Sequence, residues 1–329
     1  LAMGNAFLCK TDDSGAVFYN PAGLGSVRLT HLHFTNLHFE TNKGLLDITT
    51  GGNTSDISNN ITKGFDLDGT RQLLLDNRGK MTHNRFNLMP NLIVRFMSMG
   101  YMFSLQKRAT IGVENAALFE FSSRQDHGPF LALNFSLFGG VMKLGASTVY
   151  LNRKEIIDER DRDTSLALED SEYKKGKALV FTTGVRIVFP VALLPTISHT
   201  MHNASQSTFS NSGGAGAPDK IRPTQDVGFS LTPQIGKLTR IHFEVNYKDI
   251  TGEYSNVSSS RKLMLGIEFD IYRVLFVRFG YGDGFGSAGI GLKTRKLEFD
   301  LTTYAVDTTS AEFRGEEDRR FSITVSSGI

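Results

Sequence analysis

The histidines are the first side chains to test for chemistry. His31 and His33 lie two apart, on one face of an extended chain, and His199 and His202 lie three apart. A zinc site needs a further matched set of ligands at converging spacing, and neither pair has one, so both read as ordinary strand or loop histidines and no metal is expected. Asp66-Leu67-Asp68-Gly69 opens like a calcium loop, but the bidentate Glu that closes such a loop does not follow, and Leu75 and Asp76 stand there instead. A turn is the better reading. The run from Gly280 to Gly286 has the glycine density of a phosphate cradle, yet no helix follows it and alternating strands flank it, which predicts a hairpin turn. No Gly-x-Ser-x-Gly elbow precedes a helix. With no catalytic constellation and no cofactor motif, the chain reads as a non-enzyme.

The chemistry that does repeat is ionic, and it repeats with a period of two. From Arg85 to Phe96, one face carries Phe86, Leu88, Pro90, Leu92, Val94 and Phe96, and the other Arg85, Asn87, Asn91 and Arg95. Residues i and i+2 share a face in a strand. Ile241, Phe243, Val245 and Tyr247 likewise oppose Arg240, His242, Glu244 and Asn246, and Leu263, Leu265, Ile267, Phe269 and Ile271 oppose Lys262, Glu268 and Asp270. Strands that are apolar outward and charged inward are the pattern of a transmembrane β-barrel. On that reading Arg85, Arg95, Arg186, Arg240, Glu244, Lys262, Glu268, Asp270, Arg278, Glu298, Asp300 and Arg320 line one polar lumen. Unpaired charge in a dry interior is costly, so either water fills the lumen or salt bridges knit it closed. Pro90, inside an otherwise clean strand, removes a ladder donor and marks a candidate break in the wall.

Composition agrees with this class and excludes others. The 36 basic and 34 acidic residues give a net charge of +2, which offers nothing to nucleic acid. The most apolar window, Ala178 to Ile197, is interrupted by Arg186, Pro190 and Pro195, so no transmembrane helix is expected. Mean hydropathy is slightly negative, as it is when lipid-facing residues alternate with lumen-facing ones. Trp is absent, so an interfacial aromatic belt falls to 25 Phe and 9 Tyr; the single cysteine, Cys9, forbids an internal disulfide. The chain opens on Leu1 without a basic or apolar leader, which reads as a mature or truncated start.

Residues 1–26 do not alternate and read as compact irregular structure ahead of a first strand at 27–39. A polar insert, Thr41 to Asn60 with Gly51-Gly52-Asn53, and a short helix from Ile61 to Leu75 follow. Strands are then expected at 84–97, 100–113, 115–123, 128–138 and 139–152, a charged solvated loop at Arg153 to Lys177, and a strand at 178–189. Pro190 to Ile197 suggests a reentrant element, and Ser205 to Pro218 a mobile loop. A weaker strand at 198–206 and seven more at 223–235, 238–248, 261–271, 274–282, 286–294, 296–306 and 319–328 bring the count to fifteen. Closed bacterial barrels favour even numbers, so fourteen antiparallel strands are expected, with one segment an insert or hatch.

The text Ala2-Met3-Gly4-Asn5-Ala6, followed by Asp12-Asp13-Ser14-Gly15-Ala16-Val17-Phe18-Tyr19-Asn20-Pro21-Ala22-Gly23-Leu24, resembles the start of the FadL-like family of long-chain fatty-acid and aromatic-hydrocarbon channels. The likeness is strong over about the first 25 residues and looser at Val274 to Gly291 and Arg319 to Ser326. It implies a fourteen-stranded barrel (27–329) in the outer membrane of a Gram-negative bacterium. It also implies that residues 1–26 fold into the lumen as a hatch, turned at Asn20, Pro21, Ala22 and Gly23. The function it implies is passive passage of a hydrophobic, lipid-like compound, with no cofactor. PorV-like barrels look similar at this end, and that likeness implies instead a membrane anchor with protein partners in a larger complex.

Overall fold

The computed structural model describes residues 1–27, 30–50, 63–112, 117–236, 238–309 and 313–329. Its strands are β1 (His31–Asn42), β2 (Met81–Leu88), β3 (Asn91–Val94), β4 (Met97–Ile111), β5 (Leu118–Leu137), β6 (Met142–Asp161), β7 (Lys174–Val188), β8 (Thr196–His202), β9 (Ser210–Gly214), β10 (Thr224–Leu231), β11 (Gln234–Ile235), β12 (Thr239–Tyr247), β13 (Leu263–Ile271), β14 (Leu275–Gly282), β15 (Phe285–Lys293), β16 (Leu297–Asp307) and β17 (Glu317–Gly328). All the pairings are antiparallel, and β17 pairs back onto β1 from His33↔Gly328 to Asn42↔Arg320. β2 and β3 lie end to end between β1 and β4, β8 and β9 both run along β7, and β10 and β11 both run along β12. The seventeen segments therefore make fourteen staves of one closed barrel.

Alternation explains why these stretches are strands and which way they face. On β12, Phe243 and Val245 are each 43% exposed while Glu244 between them is 1% exposed. Leu179, Phe181, Leu265, Ile290, Leu301 and Ile323 continue the apolar outer band, and Arg186, Glu268 and Ser322 are buried inside. An oily exterior around an ionic interior satisfies every backbone group by closure, which is what lipid requires.

Three sequence expectations are corrected. The strands expected at 115–123 and 128–138 are one strand, β5, in unbroken register with β4 from Met97↔Leu133 to Ile111↔Phe119. The polar run Arg124 to His127 resembles a turn only because the strand has left the apolar band. The charged stretch after residue 152 is likewise strand up to Asp161, and β7 begins at Lys174. At 20 residues each, β5 and β6 are about twice the length that crosses a bilayer. The stretch expected as a mobile loop contains β9, and Phe209, just before it, is buried.

One rim carries short turns, among them Arg95-Phe96, 272–274 and 294–296; the other carries longer connections, including 43–80, 162–173, 248–262 and 308–316. In the first of these, helices α1 (Lys43–Thr50) and α2 (Leu67–Leu75) pack Leu45, Ile48, Leu73 and Leu74 against Ala109, Ile111, Phe119, Phe121 and Ile156. Ala109 and Ile111 share the parity of exposed Met99 and Tyr101, so these helices cover the outer wall above the apolar band. Asp66 caps α2 by accepting the Gly69 N–H at 3.0 Å, which is the role of the aspartate-rich turn. Gly51-Gly52-Asn53 and the start of the expected helix lie outside the described residues.

Candidate functional site

The segment before β1 sits among the inward side chains of the barrel. Two short 3₁₀ turns shape it. Asp13 caps Ser14–Val17 by accepting the Gly15 N–H at 2.8 Å, and Asn20 caps Pro21–Ser26 by accepting the Ala22 N–H at 3.0 Å. Pro21 stands at the first turn, where no donor is needed. The Gly23 N–H bonds the Asn20 carbonyl at 2.9 Å, and a Cβ on Gly23 would collide with the Thr11 carbonyl. Asn20 and Ala22 are fully buried.

Strands from most of the circumference hold this segment. Arg186 on β7 donates to the carbonyls of Leu8 at 2.9 Å and Thr11 at 3.0 Å, and Glu244 on β12 accepts the Cys9 N–H at 2.8 Å. Ser147 on β6 donates to the Val17 carbonyl at 2.7 Å, Asn134 on β5 to that of Ala22 at 3.0 Å, and Ser287 on β15 to that of Ala2 at 2.9 Å. Gly280 and Gly282, expected in a turn, are inward positions of β14, and a Cβ on either would collide with Gly4 backbone. The turn itself is Asp283-Gly284, both at positive φ.

The expected lumen residues do not form one network. Glu268, Arg278 and Asp300 come together: Arg278 Nε lies 2.7 Å from Glu268, its Nη1 pairs with Asp300, and Lys10 of the leading segment pairs with Glu268. Glu298 pairs with Lys293, and Arg240 stands opposite Asp270 in register near the short-turn rim. Lys262 meets Asp249 at 2.7 Å and Arg320 meets Asp318 at 2.8 Å. Arg85 is apart from these, its Nε donating to Asn87 at 3.2 Å. Arg95 is a correction: β3 stops at Val94, and Arg95 lies exposed in the following turn, stacked 4.7 Å over Phe96, because Phe96 takes a positive φ. Pro90 falls between β2 and β3; its carbonyl still accepts from Tyr101 at 3.1 Å, and the register with β4 is the same on both sides.

Two features escape the sequence reading. Glu40, fully buried, gathers His83 at 2.7 Å and His38 at 3.3 Å; the polar alternation His38-x-Glu40-x-Asn42 was the available signal. The lumen is also not uniformly polar. Ile93, Phe130, Ala132, Val149, Leu151 and Ala178 point inward and pack on Ala16, Val17 and Leu24. Phe130 and Ala132 belong to the run Phe130-Leu131-Ala132-Leu133, apolar on both faces, with Leu131 and Leu133 in the exposed outer band and Phe130 and Ala132 against the segment. The histidine pairs bind separate neighbours: His33 meets Asn91 at 3.1 Å, His199 meets Gln225 at 3.0 Å and His202 meets Asp226 at 3.3 Å.

Between the leading segment and the long-loop rim lies a cavity of about 810 Å³. Gly4, Asn5, Phe18 and Tyr19 border it from the segment; Met89 and Met102 add to the apolar side of Phe18, and Arg85, Lys248, Lys262 and Asp226 form polar ones. Asp249 organises the 248–258 connection above it, accepting the N–H groups of Glu253 at 2.9 Å and Tyr254 at 3.0 Å and the ammonium of Lys262. Burial works to raise the Asp249 carboxyl, but the Lys262 ammonium and those N–H groups outweigh it and hold it below the usual carboxylate range. Burial pushes the Lys248 ammonium down, against the pull of Asp226 and Asp283.

No protein-family profile and no curated protein matches the chain. Among solved structures it is similar to CdiB from Acinetobacter baumannii (8% identity, TM-score 0.35, 92% of this chain and 60% of that one). It is also similar to the Salmonella typhi outer membrane phospholipase (9%, TM-score 0.34, 96% and 98%) and to a mutant porin of Rh. blastica (9%, TM-score 0.32, 92% and 100%). The chain spans 60% of the length of that CdiB and 53% of CdiB from Escherichia coli. The barrel assignment rests on the strand pairing itself. One expectation is corrected here: catalytic groups are recognised by their geometry and not by one sequence motif, so the missing nucleophile elbow does not exclude catalysis, and the reading as a non-enzyme does not stand.

Proposed function

We propose that the chain is an outer-membrane barrel of a Gram-negative bacterium that passes hydrophobic, lipid-like small molecules, with residues 1–26 as the hatch. The observation that carries this is the cavity of about 810 Å³ bordered by the segment itself. Its Phe18, Met89 and Met102 side suits an apolar chain, and Arg85 and Lys248 suit a polar end. The leading segment occupies the straight path below, tied by Arg186, Glu244 and Ser147. Purification from native membranes followed by lipid mass spectrometry tests the reading. A lipid-like compound that co-purifies with the native chain and is lost in Met102→Lys supports it; a chain that never carries one overturns it.

The ion-pair chain Lys10–Glu268–Arg278–Asp300 favours a second reading, a membrane anchor within a complex, because it knits segment and wall together. Proteins that co-purify stoichiometrically, in place of lipid, would establish it.

A further inference from the structure

The leading segment meets the barrel wall in two chemically different ways. Towards β5 and β6 an apolar cluster, Ala16, Val17 and Leu24 with Phe130 and Val149, stands beside polar groups that are satisfied, Ser147 bonding the Val17 carbonyl and Asn134 that of Ala22. Towards β8, β10 and β12 it meets hydroxyls and an amide. Ser198, Thr200, Ser230 and Asn246 are at most 1% exposed, and apart from the Cys9 thiol neither their hydroxyls nor either end of the Asn246 amide has a hydrogen-bond partner among the described residues. The two serine hydroxyls have the Cys9 thiol beside them, a weak partner that itself points to the Thr196 carbonyl at 3.7 Å.

These groups are contiguous. Ser198 stands opposite Gly228 and Gly228 opposite Asn246, while Thr200 stands opposite Asp226, which borders the cavity. A Cβ on Gly228 would collide with Asn246 Oδ1 and press on Cys9 Sγ at 3.2 Å, so the glycine leaves the amide and thiol side by side. Below Asn246 the inward positions of β12 are Glu244, His242 and Arg240, so polar side chains continue to the short-turn rim.

A buried polar group without a partner loses its hydration and gains nothing, and water is its usual remedy; an apolar contact gains nothing from being wetted. We propose that the β8–β10–β12 face is a hydration seam, along which the leading segment parts from the wall by the width of a water molecule. Water and small polar solutes then pass from the cavity to the short-turn rim while the β5–β6 contact stays dry. This goes beyond passage of a hydrophobic compound and does not depend on it. Loss of lipid binding with the seam intact would count against that reading alone.

Cysteine accessibility in proteoliposomes tests the seam. In the full chain carrying Cys9→Ser, the single changes Ser198→Cys, Thr200→Cys and Asn246→Cys are offered a small charged methanethiosulfonate reagent, beside Ala132→Cys and Val149→Cys on the dry side. The seam positions are expected to be modified and the dry ones spared. Uniform protection overturns the proposal, and so does uniform modification, which would mean that the whole segment leaves. If these variants do not fold, osmotic water flow through the native chain decides: permeability above that of protein-free liposomes supports the seam, and equality overturns it.

Discussion

Arg186 and Thr11, 175 residues apart in the chain, meet twice inside the barrel: one guanidinium nitrogen of Arg186 bonds the Thr11 carbonyl at 3.0 Å and its hydroxyl at 2.6 Å. The same nitrogen reaches the Leu8 carbonyl, so one side chain gathers two stretches of the leading segment.

Arg186→Ala is therefore expected to loosen the segment as well as the wall. Losing charge-assisted bonds at a buried site costs on the order of 3 kcal/mol. Planar-bilayer recordings should show larger or more frequent openings than the native chain, and thermal unfolding in detergent should come earlier. Arg186→Lys should restore the native behaviour only in part, because one ammonium can replace the nitrogen that bonds Leu8 and Thr11 but not the second one that reaches Ser26.

Gly280→Val should separate barrel from segment. Any Cβ at this inward position collides with the Gly4 N–H and Met3, while the outward face of β14 is untouched. The expected result is a barrel with native heat-modifiable mobility on gels whose residues 1–26 have become sensitive to protease.

The outward direction of the apolar band is tested at Ile323, which is 42% exposed beside buried Ser322. Ile323→Arg is expected to lower folding stability in bilayers by about 2–4 kcal/mol if that position lies near the midplane. Ser322→Thr should change it far less. Equal effects in a denaturant titration would contradict the lipid-facing assignment.

Acid should loosen the 248–258 connection through Asp249. Its carboxyl is held below the usual range in the folded chain, so its contribution is complete above the unfolded value of about 3.9 and is lost as pH falls through the lower folded value. Hydrogen exchange at Glu253 and Tyr254 should accelerate only in that acid window, and Asp249→Asn should exchange rapidly at every pH.

The barrel was legible because its signal is local. His242 and Glu244 against Phe243 and Val245 state the two faces in four residues, and many strands repeat the pattern. Register along β5 was not legible, because Arg124 to Pro129 carries every mark of a turn and only pairing to β4 and β6 keeps it extended. Inward apolar residues such as Phe130 and Val149 also escaped, since their partners, Ala16 and Val17, are more than a hundred positions away. Gly280 and Gly282 were visible as glycines, but the need for them lies in the backbone of Gly4. Alternation identifies a face; it does not say what that face will touch.

The ladder between β1 and β17 sets an order of events in assembly. Neither strand has a full complement of backbone partners until the other arrives, so the circle is completed by the two staves furthest apart in the chain. The segment that fills it has anchors on β5, β6, β7, β12 and β15. It therefore has no finished socket until nearly the whole cylinder stands.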